Sequence, residues 1–241
     1  MTATENGPDL VVVGKGEPGL EDREAIAALA GRLDLARVSW QVGAGQPPEP
    51  ILRRRPARIT FGGISVEPPP GAFLQASLEA EAEIRDALLE ALGDADTIAD
   101  LFAGCGTFGL PLAASDRRVW AFEAQPDMVA AMTAGVRTAR LGDRLTAEAR
   151  DLERAPLAGK ELERFAGVIL DPPRAGARAQ AKALATSKVP RVAMVSCNPA
   201  SFARDARILH DGGLSLERVQ LIDAFLWSAQ IELVGTFVRR S

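Results

Sequence analysis

The chain has one histidine and two cysteines among its 241 residues, and each scarcity removes a class of chemistry. One imidazole and two thiols cannot furnish a four-ligand Cys/His zinc site, and two thiolates cannot hold an iron–sulfur cluster, so neither is expected. The two thiols, Cys105 and Cys197, lie in different motifs. That argues against a disulfide framework and for a reducing compartment, so a cytoplasmic location is expected. No apolar run approaches the roughly eighteen residues needed to span a bilayer. The opening residues, Met1-Thr-Ala-Thr-Glu-Asn, lack the basic and then apolar stretches of an export signal. No sign of charge dominates either. With 28 basic and 32 acidic residues the net charge is −4, which argues against a protein that coats nucleic acid with its whole surface. Local patches remain, notably Arg53-Arg54-Arg55-Pro56-Ala57-Arg58 and Arg239-Arg240, although short arginine runs are more often solvated surface than binding site.

What is present is ordinary for a globular chain: 47% hydrophobic and 25% charged, long enough for one α/β domain with a small addition. Residues 1–70 read as a small α+β segment: a strand at 10–13, an amphipathic helix at 21–33, a strand at 36–42, a turn-rich connection at 43–50 and a hairpin at 58–66 around Gly62-Gly63. Pro68-Pro69-Pro70-Gly71 marks a boundary. From residue 71 to 241 strands and helices alternate. Ser77 can cap a helix that runs to about Leu92, with Ile84, Leu88 and Leu92 on one face. Strands follow at 97–102, 118–123, 145–149, 167–170 and 191–196, with helices at 107–114, 126–140 and 201–210, then two last strands at 215–221 and 230–238. This alternation predicts an α/β fold with a mostly parallel sheet whose ligands sit at the strands' carboxyl ends.

Chemistry-bearing residues cluster at those ends. Asp100-Leu-Phe102-Ala-Gly104-Cys-Gly106-Thr107-Phe-Gly109 follows a strand and opens a helix, so its backbone can approach a ligand closely. The glycine spacing alone also fits a dinucleotide. Asp100, four residues before the first glycine, suits the ammonium of an amino-acid-bearing ligand and would repel a pyrophosphate. Glu123 ends the next strand, where a carboxylate can accept both ribose hydroxyls. Together they favour S-adenosylmethionine. Cys105 reads as a small packing residue. Asp171-Pro172-Pro173-Arg174 is a rigid turn beside the same crevice, and Arg174 stands where an aromatic would stack on a base methylated at its amino group. The run Val192 to Val195 delivers Cys197 onto an Asn198-Pro199 turn, where a stabilised thiolate can attack an electron-poor carbon. Glu232, between Ile231 and Leu233, would be a general base with a pKa raised by apolar neighbours.

These motifs resemble the RNA uracil-C5 methyltransferases that use S-adenosylmethionine, a class I, Rossmann-like family. The resemblance covers residues 71–241 and rests on Ser196-Cys197-Asn198-Pro199-Ala200 with Ala203-Arg204-Asp205, on Asp171-Pro-Pro-Arg-Ala-Gly176, on the Asp100 to Gly106 loop, and on Phe73-Leu74-Gln75. It implies that Gln75, Asp100, Phe102, Gly104, Gly106, Thr107, Glu123 and Asp171 line the cofactor site. It further implies Cys197 as nucleophile, Glu232 as the proton-abstracting base, and Arg174 and Asn198 at a tRNA or rRNA substrate. Uracil C5 is a poor nucleophile; a thiolate added to C6 makes an enolate that takes up methyl, and a base then removes the C5 proton so that the thiolate leaves. The base must first be turned out of its stack. Members usually carry an OB-like RNA-binding domain and some a four-cysteine cluster; neither is read here, so the chain is expected to be either a catalytic fragment of a longer protein with its RNA-binding domain upstream, or a compact member that gains RNA affinity elsewhere. Ser77 stands where asparagine is common, and Gln230 where histidine often precedes the glutamate. The competing readings are a cofactor-binding RNA-interaction module without turnover and a nicotinamide-dependent oxidoreductase.

Overall fold

The computed structural model describes residues 1–43, 45–75, 77–224 and 230–240. The first strands, β1 (Asp9–Gly14) and β2 (Arg37–Val42), pair in parallel around helix α1 (Leu20–Arg32), and β3 (Glu49–Arg53) joins β2 antiparallel. Ile26 and Ala30 of the helix close over Leu35 and Val38 in a small core of their own. The connection predicted at 43–50, of which Ala44 lies outside the described residues, ends in β3. Its Pro50 is accommodated because β3 is an edge strand, where a missing N–H breaks no ladder. Arg37 and Asp9 form a buried two-pronged ion pair at 2.7 and 3.0 Å, and Arg37 also donates to the Pro68 carbonyl at 2.8 Å, fastening the proline segment to this sheet. The arginine run is absorbed in local pairs: Arg54 and Arg55 reach Asp34, and Arg53 reaches Glu67.

A hairpin, β4 (Ile59–Phe61) and β5 (Ile64–Val66), turns at Gly62 and Gly63, both with positive φ. Gly62 approaches α3 (Gly109–Ala114) so closely that a Cβ would lie 2.5 Å from the Pro111 Cα. Phe61, Ile64 and Val66 thereby enter the main core.

That core surrounds a seven-stranded sheet: β6 (Thr97–Leu101), β7 (Arg118–Glu123), β8 (Leu145–Ala149), β9 (Gly167–Leu170), β10 (Arg191–Ser196), β11 (Leu214–Ile222) and β12 (Glu232–Arg239). The strands lie in the order β11-β12-β10-β9-β6-β7-β8, with β12 antiparallel to both neighbours and the pairings among β6 to β10 parallel. All four residues of β9 are buried, as a strand covered on both faces requires. On one face α2 (Leu78–Leu92), α3 and α4 (Pro126–Thr138) bury Ile84, Leu88, Leu110 and Met132. On the other, α5 (Lys160–Glu163), α6 (Arg178–Ala185) and α7 (Pro199–Asp211) bury Leu162, Ala181, Leu184 and Leu209. Ser77 does cap α2, its hydroxyl accepting the Ala80 N–H at 3.1 Å. Strand order changes direction between β6 and β9, which opens a crevice at their carboxyl ends. Among the described residues no helix is long and apolar enough to cross a membrane.

Candidate active site

The glycine loop leaves β6 through Phe102, which takes a left-handed φ of 65°, a conformation costly for a non-glycine residue and concentrated at functional sites. Gly106 (φ 93°) is required for space as well as conformation, since a Cβ there would lie 2.7 Å from Leu110 Cγ. Gly109 lies against Asp100: an added Cβ would sit 2.6 Å from its Oδ2. Asp100 is only 1% exposed, and neither carboxylate oxygen has a hydrogen-bond partner. Burial pushes its pKa up to about 7. The Gly109 amide, close by but short of good hydrogen-bond geometry, opposes the shift, and the Glu123 charge adds to it. An uncompensated buried carboxylate of this kind calls for a cation.

Glu123, at the end of β7, is buried and already oriented. Its Oε2 accepts the Gly104 N–H at 3.0 Å and its Oε1 the Gln125 N–H at 2.9 Å, so it ties the glycine loop to the start of α4. Thr107 is half-buried in the same loop. Gln75 is also half-buried, with its Oε1 enclosed and unpartnered. Cys105 is 1% exposed and its thiol is pushed up to about 12, first by burial and then by Glu123. It is inert packing, as the sequence implied.

The reactive residues lie further along the crevice. In the antiparallel register of β10 and β12, Ser196 faces Leu233, and one further step sets Cys197 opposite Glu232. Glu232 is 4% exposed, and burial pushes its pKa up to about 7. Asp171, just past β9, keeps part of its surface open, yet burial first, then Glu232 and Asp100, push it up to about 8. Cys197 is half-buried. Burial, then Glu232, raise its pKa, while the Arg174 cation pulls it down. Glu232 and Asp100 thus bear on Asp171, and Glu232 and Asp171 on Cys197, through unfavourable charge interactions. Among the described residues no group of three His, Cys, Asp or Glu side chains is placed to hold a metal.

A clamp that the sequence pattern did not assign holds the Asp171–Gly176 and Cys197–Asn198 turns together. Asn198 caps α7 by accepting the Ala200 N–H at 3.0 Å, and its Nδ2 donates to the Arg174 carbonyl at 3.1 Å. Ser201 Oγ donates to the same carbonyl at 3.1 Å. Below them Asp205, 1% exposed, accepts the Ala177 N–H at 2.8 Å and pairs with Arg204, which donates to the Ala175 carbonyl at 2.9 Å. Gly176 (φ 82°) passes so close that a Cβ would lie 2.4 Å from both Arg204 Nη2 and Asp205 Oδ2. The sequence signal was Ala203-Arg204-Asp205 one turn into a helix, but a role for it needs the tertiary pairing. Asn198, expected at substrate, is thus committed at both ends of its side-chain amide to positioning backbone.

The chain is similar to known proteins along its length. A family model described as tRNA (Uracil-5-)-methyltransferase matches residues 67–241. An uncharacterized RNA methyltransferase of Brucella suis is 44% identical over 238 residues, 99% of this chain and 56% of that protein. The 23S rRNA (uracil(1939)-C(5))-methyltransferase of Pseudomonas putida is 39% identical over 172 residues, 70% of this chain and 38% of that protein. Among solved structures, the Pyrococcus abyssi tRNA (uracil-54, C5)-methyltransferase bound to S-adenosyl-L-homocysteine superposes with a TM-score of 0.73 at 23% identity, covering 95% of this chain and 56% of that one. The fold is therefore that of S-adenosylmethionine-dependent methyltransferases. The chain spans little more than half the length of the first relatives it matches.

Proposed function

The chain belongs to the tRNA (uracil-5-)-methyltransferase family, and from that premise we propose that it transfers a methyl group from S-adenosylmethionine to C5 of a uridine in tRNA or rRNA. Residues 71–241 carry the transfer in this reading, and residues 1–70 form a supporting α+β unit. Tight RNA binding is assigned to a further domain outside this chain.

The cofactor fits the residues present. Asp100, with two unpartnered buried oxygens, would hold its ammonium, Glu123 its ribose hydroxyls, and Gln75, Phe102, Thr107 and Asp171 its flanks, over Gly104 and Gly106. When bound it supplies an electrophilic methyl on a sulfonium. Cys197 attacks C6 of the flipped uracil as thiolate, placing negative charge on the C5–C4–O4 enolate system, whose C5 electron pair would take the methyl while the donor's sulfur keeps the S–CH3 pair and is released as a neutral thioether. Glu232 then takes the C5 proton, the electron pair restores the C5–C6 double bond, and the sulfur leaves as thiolate. Arg174 favours the thiolate form, since its charge lowers the pKa that burial raises.

The observation that supports this reading is the β10–β12 register, whose Ser196–Leu233 pair brings Cys197 level with the buried Glu232, the charge of which acts on the thiol, one strand from Asp171. The test is incubation with RNA containing 5-fluorouridine, whose C5 fluorine cannot be abstracted. A covalent protein–RNA complex is expected with the wild type and none with Cys197→Ala, while Cys197→Ala still binds S-adenosylhomocysteine. An adduct that persists in Cys197→Ala would overturn the assignment.

A further inference from the structure

Beside the Asp171 and Cys197 turns lies a cavity of about 430 Å³ that shares only Phe102 with the residues proposed to hold the cofactor. Its walls are Phe102 and Leu152 on one side and the backbone of 175–177 with the start of α6 on the other. Three cations line it, Arg178, Lys182 and Arg204, against one acid, Glu153. Arg204 is committed to Asp205 and the Ala175 carbonyl. Arg178 and Lys182 are exposed, stand one helical turn apart on the same face of α6, and make no hydrogen bond or ion pair among the described residues. Two uncompensated cations over a cavity are notable in a chain of net charge −4 whose Arg53–Arg55 run is already paired internally.

The cavity wall is linked to the Cys197 turn by hydrogen-bonded backbone. Its 175–177 wall is the segment that Asp205 and Arg204 grip, and the adjoining Arg174 carbonyl is held by Asn198 and Ser201 beside Cys197. A strand whose uridine is turned out toward Cys197 continues past the Cys197 turn, and this surface adjoins that turn. We propose that the cavity is a subsite for the RNA strand adjoining the target uridine, with Arg178 and Lys182 neutralising its phosphates. The inference rests on the reading of Cys197 as the uridine-binding nucleophile. Gln180 stiffens the subsite from behind: its amide bonds both the N–H and the carbonyl of Leu157 at 3.0 Å, fixing the segment after β8 onto α6.

The experiment compares the full chain with its Arg178→Ala/Lys182→Ala variant and, as control, Lys188→Ala, an exposed cation outside the cavity. Binding of unmodified tRNA and rRNA transcripts is followed by fluorescence anisotropy across a salt series, with S-adenosylhomocysteine affinity measured by calorimetry. Each phosphate contact on single-stranded nucleic acid contributes about 0.7 to the slope of log K against log salt, so the double variant should be shallower by about 1.4. Its KM for RNA should rise on the order of tenfold at physiological salt. S-adenosylhomocysteine affinity should match the wild type. An unchanged slope in the double variant, or no RNA binding by the wild type, overturns the subsite. A loss of S-adenosylhomocysteine affinity overturns it too, by assigning the cavity to the cofactor. Wild-type adduct formation with 5-fluorouridine RNA, measured in parallel, tells failure of the subsite apart from failure of the underlying reading.

Discussion

Asp100 offers a measurement that needs no substrate. Its carboxyl moves from an ordinary 3.8 to about 7 on folding, chiefly through burial. A raised pKa means that the folded state holds the proton more tightly than the unfolded chain. Its favourable contribution is complete below pH 3.8 and is lost as pH climbs through 7. At 1.36 kcal/mol per pH unit the loss is on the order of 4 kcal/mol for this one group. Asp171 (to about 8) and Glu232 (to about 7) act with the same sign, so the ligand-free protein should weaken between about pH 4 and pH 8. Asp100→Asn keeps the shape and cannot ionise. Urea unfolding of both proteins from pH 4 to pH 9 should show the stability difference moving toward the variant by roughly 4 kcal/mol as pH rises, whatever its value at pH 4. S-adenosylhomocysteine, whose ammonium would pair with the carboxylate, should flatten the wild-type curve and leave the variant's nearly unchanged. Parallel curves for the two ligand-free proteins would refute the account of Asp100 as a buried, uncompensated acid.

Two further outcomes test the catalytic turns. Glu232→Gln should let a methylated RNA adduct accumulate on Cys197 while release of 5-methyluridine slows by roughly 10² to 10⁴; wild-type turnover should rise with pH through about 7 as Glu232 ionises, which rapid-quench assays across pH would check. Asp205→Ala should cost on the order of 3 kcal/mol in chemical denaturation, because it strands the Ala177 N–H and unpins the 175–177 wall. The Arg204 pair is discounted in that figure because the arginine side chain is 36% exposed; a loss below about 1 kcal/mol would mean that the clamp holds little.

The sequence was most readable where one physical signal dominated. Continuous apolar runs such as Gly167–Leu170 and Val192–Val195 become buried strand segments, and both lead to the ends where carboxyl-end chemistry was expected. Ser77 capped the helix it preceded, and Gly62-Gly63 made the hairpin turn. Readability failed where tertiary pairing overrode local signals. Pro50 read as connection, yet it tolerates a strand because nothing pairs beyond it. Helix α6 has a buried face of Gln180, Ala181 and Leu184, and a glutamine buried by gripping the Leu157 backbone looks like a surface residue in any one-dimensional pattern. The Arg53–Arg55 run looked like a patch for anions, and its partners, Asp34 and Glu67, lie too far along the chain to be read as such.

The same distinction explains why individual site residues were nameable while their energetic relations were not. An aspartate before a glycine loop, or a cysteine before Asn-Pro, is a local pattern. That Asp100, Asp171 and Glu232 all end at one sheet edge depends on strand order, which sets β6, β9 and β10 side by side and then turns β12 antiparallel so that its first residue reaches the same edge. Beyond the larger effect of burial, Glu232 and Asp100 raise the pKa of Asp171, and Glu232 and Asp171 raise that of Cys197. The crevice is thus costly to keep ionised when empty, and a cationic sulfonium ligand with its own ammonium is the kind of molecule that relieves the cost. On this view the cost is part of recognition: affinity for the methyl donor draws on compensating the buried charge of Asp100, and it should weaken below about pH 7, where Asp100 takes up its proton.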